Sequence, residues 1–179
     1  MKFPHFQIER LQILPLLIAG VLMACTPAAD APAAAQGETA TAITHPISGL
    51  PIVPVTVTID GKAHRFSAEY AGGYSERAKG LMFRTALGPD EAMIFDFTTT
   101  DSRPSIKQFW MKNTYIPLDI IFVRADGVID SIGADAVPYS EKGVRSDGPV
   151  IYVLEIPGGR AAELGIEPGD TVEFAQPDA

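Results

Sequence analysis

Six residues of this chain carry side chains from which a chemical site can be assembled: Arg84, Trp110, Lys112, Asn113, Asp119 and Glu155. Three of them fall in the block Phe109-Trp110-Met111-Lys112-Asn113-Thr114, which holds the only Trp of the sequence. An indole can stack on a sugar or another planar ligand, or fill a core with its N–H satisfied. A Lys and an Asn are costly to bury without partners. Lys112 and Asn113 therefore either line a recess, or Lys112 pairs with Asp119 or Glu155. Glu155 alternates in step with Ile151 and Val153, which turns its carboxylate toward an apolar face. There it calls for a cation, and Arg84 and Lys112 are the candidates. The same carboxylates, Asp119 and Glu155, can alternatively serve as acid or base beside Lys112.

Other chemistries find little support. Met82, Met93 and Met111 offer soft thioethers of the kind Cu(I) takes, but their spacing is not a metal motif and Met beside aromatic residues is ordinary core filling. His45 and His64 have no second ligand nearby in sequence, so no metal site is assigned. There is no Gly-x-Ser-x-Gly elbow and no Gly-rich phosphate loop with its Lys-Ser/Thr pair. No cofactor is implied. The net charge of −8 repels phosphate backbones, which argues against nucleic acid as a partner.

The elements that must position these residues begin after an N-terminal leader. Lys2 and Arg10 flank a short basic region, and an apolar run follows over residues 11–24, shorter and more interrupted than the about 20 residues of a membrane span. Leu22-Met23-Ala24-Cys25 resembles a bacterial lipobox, in which the Cys is acylated after cleavage. Cys25 is the only cysteine, so no intramolecular disulfide can form. These features predict a signal peptide over residues 1–24 and an exported domain held to a membrane by acyl chains. With Thr26 after the Cys, the resemblance implies the periplasmic face of the outer membrane in a Gram-negative host. Residues 25–46, rich in Ala, Pro and Thr, read as a disordered tether, and residues 47–176 as one folded domain.

Within that domain, residues 55–59 alternate apolar and polar, Asp60-Gly61 is a hairpin turn signal, and residues 62–70 return. Further strands are expected at 92–97, 119–124, 128–132, 150–156 and 171–174, with short helices at 75–80 and 160–164. Ile120 to Val123 is apolar on both faces, as a fully buried strand requires. Residues 134–149 read as a long loop. Short strands, hairpin turns and no βαβ rhythm predict an all-β sandwich or barrel.

Several segments, Arg77-Ala78-Lys79-Gly80-Leu81-Met82-Phe83-Arg84, the Trp110 block, Ile116-Pro117-Leu118-Asp119, Tyr152-Val153-Leu154-Glu155 and Gly165-Ile166-Glu167-Pro168-Gly169-Asp170 among them, identify the chain as resembling the domain-of-unknown-function 192 family. Ala92 departs from the Gly usual there. The resemblance implies a compact jelly-roll-type β structure with short helices, and it implies no catalytic residues. The expectation is an envelope lipoprotein whose β-domain binds a small polar or glycan ligand. A structural or protein-interaction lipoprotein without a small-molecule site is the alternative, and a carboxylate-based hydrolase a further one.

Overall fold

The computed structural model describes residues 43–177. The leader and Cys25 lie outside them. The chain opens with an antiparallel hairpin, β1 (Ile52–Ile59) and β2 (Lys62–Ala71), in register from Ile52 opposite Glu69 to Ile59 opposite Lys62. Asp60 and Gly61 both have positive φ, 49° and 75°, the geometry of a tight turn whose twist matches its strands. Helix α1 (Tyr74–Lys79) and the loop after it then carry the chain across to β3 (Glu91–Asp96), which lies parallel to β2. Parallel neighbours need such a crossover.

The remaining strands are β4 (Gln108–Phe109), β5 (Leu118–Val123), β6 (Ile129–Ala136), β7 (Val144–Arg145), β8 (Tyr152–Pro157) and β9 (Thr171–Phe174), with helix α2 (Arg160–Leu164) between the last two. One seven-stranded sheet runs β6-β5-β8-β3-β2-β1-β9. It curls until its edges meet, where Val128 bridges Thr171 and the Ile129 N–H donates to the Asp170 carbonyl at 2.8 Å. Of the sandwich and barrel alternatives, the sheet takes the barrel-like one. The expected loop over 134–149 contributes β7, which pairs with β4 as a two-stranded flap.

Strand alternation gives the sheet two apolar faces. The concave face collects Val55, Val57, Phe66, Ile94, Ile121, Leu154 and Ile156. The convex face collects Leu81, Met93, Phe95, Met111, Ile120, Phe122 and Val153. Its cover comes from the segment after α1, the Trp110 block and the flap. β5 serves both faces and is buried throughout, as its uninterrupted apolar run requires. Met93 and Met111 are packing residues of the convex face.

Candidate functional site

The convex cover does not seal the sheet. Between α1 and the Trp110 block lies an open cleft of about 460 Å³, within the roughly 300–1,000 Å³ usual for small-ligand sites. Phe95 from β3 and Glu155 from β8 form its floor. One wall is Arg77 and Lys79 from α1 with Gly80, Leu81 and Met82 after it; the other is Gln108, Phe109, Trp110 and Thr114. Phe97 and Thr100 close one end.

The walls stand where they do for local reasons. Gly80 (φ 50°) turns the chain out of α1, and a Cβ there would lie 3.3 Å from the Phe95 ring. Phe109 meets Phe95, Phe97 and Phe122 edge-on at centroid distances of 5.0, 6.4 and 6.0 Å, the arrangement that ring quadrupoles favour. Arg77 braces the far end: its guanidinium donates to the Gly72 carbonyl, to the Asp96 carbonyl at 2.8 Å and to Thr100 Oγ1 at 2.7 Å.

Within the Trp110 block, Met111 points into the convex core while its N–H donates to the Ser140 carbonyl at 2.8 Å. Asn113 takes φ 57°, a left-handed conformation that Asn tolerates better than most residues. Its carbonyl accepts the Phe83 N–H at 2.8 Å. The Lys-Asn-Thr step is thus a turn that returns the chain into β5. Trp110, 51% exposed, stands at the cleft mouth with Lys112 Nζ 5.3 Å from its ring.

The structure separates the six residues picked out by sequence. Trp110 and Glu155 line the cleft; Lys112, Asn113, Arg84 and Asp119 do not. Lys112 is exposed and joins no ion pair among the described residues, so neither expected pairing, with Asp119 or with Glu155, forms. Arg84 is buried but engages Glu69, donating to both carboxylate oxygens at 2.6 and 2.5 Å. His45 lies against the same guanidinium, its Nδ1 3.2 Å from Arg84 Nη2, which draws the end of the expected tether into the domain.

Asp119 lies on the concave face, opposite to Glu155. Its carboxylate accepts backbone N–H groups from Asp135 (2.7 Å), Gly159 (3.0 Å) and Ala161 (2.7 Å). It caps α2, whose N-cap residue, Gly159, has no side chain to do so. That role consumes its acceptor capacity in structural bonds.

Glu155 is left without a cation. The residue is 4% exposed, and among the described residues its carboxyl has no hydrogen-bonding or charged partner. Among the described residues no sealed side-chain oxygen lacks a partner, so the Glu155 oxygens reach the cleft that they line. Loss of hydration pushes its pKa from 4.5 up to about 8, because burial disfavours the charged form. At neutral pH it is a carboxylic acid, able to donate one hydrogen bond into the cleft.

Sequence reasoning missed Arg77, Phe97, Phe109 and Gln108. An Arg in the last turn of a short helix reads as a complement to the helix dipole. Nothing local shows that it reaches a loop some twenty residues on.

Comparison with known proteins bears on the family alone. The profile of DUF192, described as "Uncharacterized ACR", matches residues 55–174. A crystal structure of a protein of unknown function from Novosphingobium aromaticivorans DSM 12444 is 54% identical, with a TM-score of 0.70 over 76% of this chain and 94% of that one. Another, from Sinorhizobium meliloti 1021 and described as a "putative transcription regulator", is 40% identical, with a TM-score of 0.65 over 70% of this chain and 95% of that one. No curated protein matches the sequence. With the profile spanning nearly the whole β-domain, the chain belongs to the DUF192 family.

Proposed function

We propose that this domain binds a small polar organic ligand, glycans included, in the cleft above β3 and β8. The observation that carries the proposal is Glu155, a buried carboxyl with no partner among the described residues that opens into a cleft of about 460 Å³. A buried polar group without a partner is costly, and a ligand acceptor that meets it recovers that cost. Trp110 supplies a ring face at the mouth and Phe109 an apolar wall, the mixture of apolar lining and few polar anchors usual for ligand sites. The leader and Cys25 support placing this binding domain on an envelope membrane, with acylation of Cys25 as its anchor.

The regulator description of the Sinorhizobium relative is not carried over, because a chain of net charge −8 is a poor partner for a phosphate backbone. A catalytic use of Glu155 as general acid is the second reading, favoured by its raised pKa. Glu155 is the only carboxylate among the cleft-lining residues, so the paired-carboxylate chemistry of glycoside hydrolysis gains no support.

The test is a titration of the ¹⁵N-labelled domain with neutral amides and phenyl glycosides, followed at the Trp110 indole N–H. Binding that shifts this signal, and that weakens about tenfold in Glu155→Met, is the expected result. An indole signal unmoved to millimolar concentrations overturns the proposal.

A further inference from the structure

Among the described residues the cations that border the cleft have no carboxylate partner, and Glu155 is the only carboxyl in its lining. Away from it, Arg84, Arg103, Arg124 and Arg160 sit within 4.0 Å of a carboxylate, while Lys62, Arg65, Lys142 and Arg145 stand separately on the surface of the sheet and its loops. Arg77, Lys79, Lys107 and Lys112 border the cleft or its aromatic walls, and none of them is in an ion pair among the described residues. In a chain of net charge −8, four cations thus border a cleft whose lining holds one carboxyl.

Two of these cations approach one ring. Arg77 Cζ lies 4.8 Å from the centroid of Phe97 and Lys107 Nζ 4.2 Å from it, and Phe97 forms the end of the cleft. The ring face attracts each cation, but the cations repel one another. Burial lowers the Lys107 pKa, Asp101 raises it in part, and Arg77 lowers it further. Asp101 itself pairs with Arg103 at 3.5 Å. Arg77 spends its bonds on carbonyl and hydroxyl oxygens, none of which neutralises its charge.

We infer that the ligand of this cleft is an organic anion, a carboxylate or phosphate ester, whose charged group lies at the Phe97 end between Arg77 and Lys107 and whose apolar body extends along Phe109 toward Trp110. This rests on the ligand-binding reading of the cleft and deepens it. A guanidinium and an ammonium at 4.8 and 4.2 Å from one ring centroid supply the groups that proteins usually set against carboxylate and phosphate oxygens. The Glu155 acid then meets an uncharged acceptor on the ligand body, because an anionic carboxylate there would repel the ligand.

The experiment measures dissociation constants of 2-naphthoate, 2-naphthyl phosphate and the neutral isostere 2-naphthamide for the folded domain at pH 7 and low salt. Either anion is expected to bind at least tenfold tighter than the amide. Preference for the phosphate ester over the carboxylate, or the reverse, assigns the anion. Arg77 also braces the loop at 96–100, so the variant of choice is Lys107→Met, which keeps an apolar stem over Phe97; it should reduce the anion-to-amide affinity ratio at least threefold. Equal binding of 2-naphthoate, 2-naphthyl phosphate and 2-naphthamide overturns the anion assignment while leaving the cleft as a ligand site. Absence of binding by all three, with the Trp110 indole unmoved, overturns both.

Discussion

Glu69 and Glu155 occupy one row of the same sheet face. Glu69 on β2 lies beside Met93 on β3, and Met93 beside Glu155 on β8. Both are buried, at 3% and 4% exposure, and both sit under the cover of the convex face. Yet Glu69 holds the guanidinium of Arg84 on both oxygens, while among the described residues no cation pairs with Glu155, which faces the cleft. The same side chain in the same row thus makes a closed latch at one place and an open site at the other. What differs is the covering segment. Arg84 descends onto Glu69, whereas the stretch above Glu155 presents Gly80, Leu81 and Phe109 and leaves a gap. Glu69 and Asp119 spend their acceptors on groups of the protein, and Glu155 leaves its own unspent.

That contrast can be broken at its strongest point first. Arg84→Met removes the partner of a buried carboxylate and should destabilise the domain by about 3–5 kcal/mol, read by urea denaturation at pH 7. The double variant with Glu69→Gln should recover part of the loss. If Arg84→Met costs little, the latch is no latch.

Asp119 extends the comparison to the other face. Asp119→Ala strands three backbone N–H groups, including two at the start of α2, and should cost about 3 kcal/mol. Hydrogen exchange at Ala161 should accelerate more than at β1 amides.

Glu155 should behave in the opposite sense. Its folded pKa of about 8 lies above its ordinary 4.5, so the folded state keeps a proton that the unfolded chain releases. Stability therefore falls as pH rises through that window. Glu155→Gln removes the dependence: stability near that of the wild type at pH 5, and a gain of roughly 2 kcal/mol at pH 9 after allowing for water entering through the cleft. Equal stability profiles for the two proteins contradict the contrast. The smallest effect belongs to Lys112→Gln. Exposed and unpaired, Lys112 should change stability by no more than about 0.5 kcal/mol, despite its place in the most recognisable block of the sequence.

How much of this was legible from the sequence follows from the range of each interaction. Alternation over 55–59, the Asp60-Gly61 turn and the two-sided apolarity of Ile120 to Val123 are local signals, and each became the element they indicate. Glu155 was legible as a carboxylate on an apolar face for the same reason. That the expected cation goes elsewhere was not, because lateral order sets it: the parallel placement of β3 beside β2 puts Glu69, not Glu155, beneath Arg84. Asp119 meets Ala161 across 42 residues of sequence, and no spacing rule carries that far. Lys112 and Asn113 looked chemical because polar residues interrupt an apolar run. The interruption is a turn whose left-handed residue is Asn113, a backbone demand that composition alone does not distinguish from a site.

The central claim is that Glu155 is a neutral, unpartnered acid opening on a cleft. A ¹³C NMR titration of the Glu155 side-chain carboxyl in the folded domain tests it most directly. The structure predicts a resonance that stays protonated through pH 7 and titrates near pH 8; a carboxyl that ionises in the ordinary range near 4.5 would contradict the assignment.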